Sequence, residues 1–130
     1  MVGNRYTLSK KERLSRKRDI DALFMEGKSF IAYPLRVIFL SVDSRDRSVP
    51  VSILVSVSKK RFKRAVKRNL IKRQVREAYR TQKHELCNHV QDEGLFLMVA
   101  FIFMDKEIYP QKDIEKSMAK ALRLLKEKMQ

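Results

Sequence analysis

KKRFKRAVKRNLIKRQVREAYR, residues 59–80, combines two patterns that ordinarily exclude one another. Eleven of its twenty-two residues are Lys or Arg, and Glu77 is its only acid. Like charges at i,i+4 on a helix repel by about 0.2–0.5 kcal/mol per pair. Yet the apolar spacing asks for a helix: Ile71, Val75, Ala78, Tyr79 and Leu86 fall on one side, and Asn69, Lys72, Arg73, Arg76, Arg80 and Lys83 on the other. A solvated helix face normally mixes signs, with Glu placed to pair with Lys. A face with one acid against eleven bases calls for a polyanion.

The whole chain agrees. Its 130 residues are enough for one domain with one real core, and 44% hydrophobic content is ordinary for a folded protein. A formal net charge of +15 is not ordinary and implies nucleic acid or an anionic membrane surface. Trp is absent, and no amphipathic helix has the Trp/Phe-rich face of a membrane binder. The longest apolar run, residues 95–104, is too short to span a bilayer. The N-terminus has no signal-peptide core, and Cys87 is the only cysteine. A cytoplasmic protein is expected, with no membrane partner.

On either side of the basic helix, placed at roughly 64–86, the pattern predicts a small α/β domain spanning 1–130. Residues 1–16 are a basic arm, with seven Lys or Arg between Arg5 and Arg18. Ser9 and Glu12 have capping-box spacing, so 9–16 either joins the first helix or lies extended. That first helix is expected at 17–26, with Ile20, Leu23 and Phe24 at i, i+3, i+4 and Gly27 as its C-terminal glycine. Residues 30–42, FIAYPLRVIFLSV, read as one strand with Pro34 early in it. VSILVSV, 51–57, alternates Val51, Ile53, Val55 and Val57 with Ser52, Leu54 and Ser56. Its second face is either solvated or the floor of a groove. Residues 95–104 form a central strand, and 112–128 a closing helix. The order is αββαβα, and the long crossover allows the last two strands to run parallel.

Enzymatic constellations are thin. Gly3, Gly27 and Gly94 are scattered and make no phosphate loop, and Asp43, Asp46, Asp105 and Glu107 lie in turns. His84, Cys87 and His89 have a superficially metal-like HxxCxH spacing without a second ligand pair. The plainer reading is a buried Cys87 flanked by surface histidines. Neither catalytic nor metal-ligating residues are assigned. Arginines spaced along a helix, by contrast, fit phosphates through their bidentate fork, and Asn69 suits a base edge, sugar or phosphate.

The segment VSVSKKRFKRAVKRNLIKRQVREAYR resembles the signature of the bacterial ribonuclease P protein subunit, a valine-rich strand ending in SKK followed by A-V-x-R-N-x-I-K-R-x-x-R-E. The matches are Ser58, Lys59, Lys60, Ala65, Val66, Arg68, Asn69, Ile71, Lys72, Arg73, Arg76 and Glu77. ERLSRKRDIDALFMEGKS, 12–29, is similar to the family's first segment. Three departures stand out. Leu70 replaces an arginine that often follows R-N, RFKR replaces a shorter glycine-containing loop, and Ile20 and Ile38 replace aromatics of the family's cleft.

This resemblance implies an α/β sandwich with an unusual left-handed crossover around the basic helix, whereas about 98% of such crossovers are right-handed. It also implies an accessory subunit of an endoribonuclease: one protein and one catalytic RNA that together remove the 5′ leader of precursor tRNA. The chemistry would belong to the RNA and its Mg²⁺. Lys59, Lys60, Arg64, Arg68, Asn69, Lys72, Arg73, Arg76 and Arg80 would face RNA. Ile20, Phe24, Ile38, Ser52 and Ser56 would floor a leader groove flanked by Arg13, Arg16, Lys17 and Arg18. Composition alone also allows a ribosomal or chaperone-like RNA-binding protein with no role in cleavage. A stand-alone nuclease is disfavoured, because no acids cluster for two-metal chemistry.

Overall fold

Every backbone hydrogen-bonding group of a nine-residue apolar segment needs a partner, and a central position in a sheet supplies one on each side. The structure, a computed structural model describing residues 8–45 and 47–129, gives that position to Leu95–Phe103. In chain order the elements are a 3₁₀ turn at Lys10–Glu12, α1 (Lys17–Glu26), β1 (Lys28–Ala32), β2 (Leu35–Asp43), β3 (Val51–Val57), α2 (Ala65–Gln82), α3 (His84–Asp92), β4 (Leu95–Phe103) and α4 (Gln111–Lys128). The sheet order is β1-β2-β4-β3. β2 pairs antiparallel with β1 and β4, while β3 and β4 run parallel, as the long crossover allowed.

Side-chain alternation divides β4 between two cores. Leu97, Val99, Phe101 and Phe103 join Leu35, Val37 and Phe39 of β2, Ile71, Val75, Ala78 and Tyr79 of α2, and Ile114, Met118, Ala121 and Leu125 of α4. On the opposite face Phe96, Met98 and Ala100 cluster with Leu14 and with Leu23 of α1. The α/β class and the small sheet packed by helices are therefore as expected.

Two elements read as single are each divided. The 30–42 strand is a hairpin that reverses at Tyr33–Pro34, a cis X-Pro bond, with Ala32 opposite Leu35. Both arms are rich in β-branched and aromatic residues, so composition could not separate them, and Pro34 was the only punctuation. The basic helix ends at Gln82, and a second helix begins at His84. Lys83 lies at the junction, 5% exposed, with its Nζ 2.6 Å from Glu12 Oε2. It therefore does not belong to the exposed basic face on which the helical wheel put it.

The capping-box cue at Ser9 produces only one 3₁₀ turn, in which the Ser9 N–H donates to Glu12 Oε1 at 2.9 Å. The chain then runs extended along β3. The Leu14 N–H donates to Ile53 O at 2.7 Å, and Ser52 Oγ to Lys11 O at 2.7 Å. Residues 9–16 thus do not continue α1, and residues 8–14 form a strap tied to the sheet and to the α2–α3 junction. Arg5 lies outside the described residues. Gly27 ends α1 with φ −70°, so left-handed backbone is not what selects glycine there. A Cβ would sit 2.4 Å from Leu23 O and 3.0 Å from Phe39 O, so close approach to β2 selects it. No helix among the described residues is long and apolar enough to cross a membrane.

Candidate nucleic-acid interface

α2 is held by its apolar side: Ile71, Val75, Ala78 and Tyr79 are fully buried. Its charged side begins in the loop before it. Phe62 is buried, with its ring centroid 6.0 Å from that of Phe103, and its N–H donates to Ser58 O at 3.1 Å. Arg68, half-buried, donates through Nη1 to Phe62 O at 2.8 Å and to Lys63 O at 2.9 Å. The RFKR segment, 61–64, is thus held by a buried phenylalanine and by the Arg68 guanidinium on its backbone carbonyls. Around them Lys59, Lys60, Arg61, Lys63 and Arg64 are exposed.

Farther along α2, an open concavity of about 710 Å³ lies against the strap, lined by Leu8, Arg13, Asn69, Arg73, Arg76, Glu77 and Arg80. Arg13, assigned from sequence to the leader flank, thereby joins residues assigned to the other RNA. Partial burial, reinforced by the nearby Arg13 charge, pushes the Arg76 guanidinium below its ordinary value. Among the described residues no acid pairs with Arg76. Arg80 is held by Glu77, Nε to Oε1 at 3.0 Å and Nη2 to Oε2 at 2.5 Å, and that hydrogen bonding lowers the Glu77 carboxyl. Among the described residues the groove's one carboxylate is therefore engaged, and the other polar side chains are cations and one amide. That donor set does not suit Mg²⁺, which takes oxygen ligands. Asn69 and Arg73 are exposed, and Lys72 is half-buried outside this lining.

A second open surface lies on the α1 side of the sheet. Ile20 and Ile38 are half-buried and Phe24 is exposed. Ser52, 4% exposed with its hydroxyl given to the strap, is closed off. The strap covers it, a contact that no strand pattern encodes. Ser56 is half-buried. Strand register puts it in one row with Ile102, Arg36 and Ile31. Arg36 and Ile31 are exposed, and the sequence reading missed all three partners of Ser56 in this row. Alternation within β2 would have put Arg36 on the Ile38 face, but the undetected hairpin hid Ile31.

Arg16, Lys17 and Arg18 are exposed at the start of α1, where Lys17 Nζ lies 3.6 Å from Asp21. Asp19 points inward and accepts the fork of Arg47 at 2.8 and 3.1 Å, while Arg47 lies 4.3 Å from the Phe96 ring centroid. His84, Cys87 and His89 are all half-buried. Cys87 Sγ lies 3.8 Å from Tyr79 Oη, and burial pushes its thiol up. Among the described residues no three or more His, Cys, Asp or Glu side chains are grouped to hold a metal ion.

Residues 8–126 match the family described as Ribonuclease P. A ribonuclease P protein component from Porphyromonas gingivalis is 45% identical over 117 residues, covering 90% of this chain and 85% of that one. Its counterpart from Chlorobium phaeobacteroides is 37% identical over 105 residues, covering 75% and 72%. Among solved structures, the RNase P protein from Thermotoga maritima superimposes with a TM-score of 0.67 at 24% identity, over 87% of this chain and 96% of that one. That likeness concerns the fold.

Proposed function

Because the chain belongs to the ribonuclease P protein family, we propose that it binds the catalytic RNA of that endoribonuclease and the 5′ leader of precursor tRNA. The family implies a role in tRNA 5′ processing, and in this reading the bond is cut by the RNA with its own Mg²⁺. The protein's work is electrostatic and positional, carried out in the cytoplasm as one protein with one RNA.

The observation that carries this reading is the groove between the strap and α2. There Arg76 is half-buried beside Arg13, with Arg73 and Asn69 on the same concave wall. Packing two guanidinium groups together is unfavourable in the free protein and becomes favourable when a phosphate lies between them. The loop cations Lys59, Lys60 and Arg64 extend the charge along the RNA, as does Lys72. The leader, an extended strand, lies along α1 over Ile20, Phe24, Ile38 and Ser56, with Arg36 at the centre of the open row and Arg16, Lys17 and Arg18 at the flank. Phe24 offers a stacking surface and Arg36 a planar guanidinium.

The deciding experiment is precursor tRNA cleavage at low Mg²⁺ with catalytic RNA alone, protein alone, and both. Only the mixture should cut efficiently. Cleavage by protein alone would make it a nuclease, and failure to stimulate the RNA would leave a general RNA-binding protein.

A further inference from the structure

Arg68 matches the arginine of the R-N pair, and the sequence reading placed it against RNA. Its geometry gives it a different task. One terminal nitrogen, Nη1, donates to the carbonyls of both Phe62 and Lys63, at 2.8 and 2.9 Å. Those two peptide units lie in the middle of residues 59–64, where five of six side chains are cationic and exposed. Like charges so closely spaced repel, and the loop has few other ties. The Lys60 N–H reaches Ser58 Oγ at 3.1 Å, the Phe62 N–H reaches Ser58 O at 3.1 Å, and the Phe62 ring enters the core. The phenylalanine fixes one point of the loop, while the arginine, from the first turn of α2, sets its orientation against the helix.

We infer that Arg68 is a positioning residue, which holds Lys59, Lys60, Arg61, Lys63 and Arg64 in one arrangement so that they engage phosphates of the RNA together. The inference rests on the RNA-binding reading for its purpose, whereas the clamp itself is a property of the free protein. A guanidinium suits this role because it stays charged and presents its N–H groups in a fixed plane, which an ammonium does not.

Two measurements test it, on the wild type, Arg68→Ala, Arg68→Lys and, as a comparison cation on the same helical turn, Lys67→Ala. In hydrogen exchange of the free protein, the Lys60 and Phe62 amides should exchange at least tenfold faster in Arg68→Ala, with β4 and the body of α2 unchanged. Arg68→Lys keeps the charge and should show the same loosening to a smaller extent. In RNA binding, each lost phosphate contact flattens the log–log salt slope by about 0.7–0.9. Lys67→Ala should flatten it by no more than that, and Arg68→Ala by at least twice as much.

Unchanged loop exchange in both Arg68 variants would overturn the clamp. Faster exchange with a slope change of one phosphate or less would overturn the positioning role and return Arg68 to direct contact. A wild-type slope near zero would remove the RNA reading, and the exchange result would still decide whether the clamp exists. If Arg68→Ala fails to fold, the Arg68→Lys pair of measurements carries the same outcomes.

Discussion

Asp19 and Gly27 hold the two ends of α1 by opposite means, one with charge and the other by lacking a side chain. Asp19 is buried, and the hydrogen bonds from Arg47 hold its carboxyl below the ordinary 3.8, outweighing the upward push of burial. A carboxyl lowered in the folded state adds stability that is complete above the unfolded value and is lost as pH falls through the folded one. The contribution should therefore be complete at neutral pH and decline progressively as pH falls below about 3.8. Asp19→Asn leaves Arg47 against a neutral amide, so it should destabilise the protein by about 3 kcal/mol at pH 7 and by progressively less as pH falls below about 3.8. Urea unfolding at a series of pH values from 7 downward through the acid range measures the difference; a loss that stays constant throughout would show that packing, not charge, is what Asp19 provides. Gly27→Ala introduces a methyl 2.4 Å from Leu23 O and 3.0 Å from Phe39 O. Backbone atoms yield poorly, so a loss of about 1–3 kcal/mol is expected, with a lower midpoint and an unchanged denaturant slope.

Elements were legible in the sequence where one periodicity ran without competition. α1 and β3 fall where Ile20, Leu23 and Phe24, and Val51 to Val57, placed them. The 30–42 segment failed because β-propensity is the same on both arms of a hairpin, and a proline early in a strand reads equally as an edge. The helix break at Lys83 failed because 3.6-residue periodicity continues from Tyr79 to Leu86 across it, both residues being buried. The strap was out of reach for another reason: its contacts are long-range, Lys11 with Ser52 and Glu12 with Lys83. For the same reason half of the candidate groove, the Arg13 side, was invisible, while the α2 side was readable from charge alone. That dependence can be measured. Glu12→Gln faces the buried Lys83 ammonium with a neutral amide and should destabilise by about 3 kcal/mol. The Glu12→Gln/Lys83→Met pair should lose less than the sum of its single variants, since the two groups share one interaction. Additive losses in a double-mutant cycle would mean that the Glu12–Lys83 pair does not help to hold the strap.

At the scale of the molecule, +15 of net charge raises the free energy of the isolated fold and lowers that of its complex with a polyanion. Only part of that charge counts in any one complex. With Arg13, Arg73 and Arg76 in the groove and a few loop cations beside them, about five phosphates are neutralised, for a log–log salt slope of roughly −3.5 to −4.5. Between 50 and 200 mM salt the affinity for RNA should then fall roughly 130- to 500-fold. Glu77 gives a sharper test, because it is the only acid among the described residues that line the groove and its carboxyl is held below the ordinary value by Arg80. It is ionised at neutral pH and subtracts from the field that phosphates meet. Glu77→Gln removes a negative charge without removing a cation. If the groove is the RNA site, this variant should bind more tightly at low salt and lose the advantage as salt rises, giving a steeper slope than the wild type. Arg73→Ala/Arg76→Ala should do the reverse, flattening the slope by about 1.4–1.8. Titrations of the wild type, these two variants and a control, Lys120→Gln, over the same salt range separate a specific groove from diffuse attraction. Diffuse attraction would move the slope equally for a charge change on the groove and for one on the far side of α4, such as Lys120→Gln.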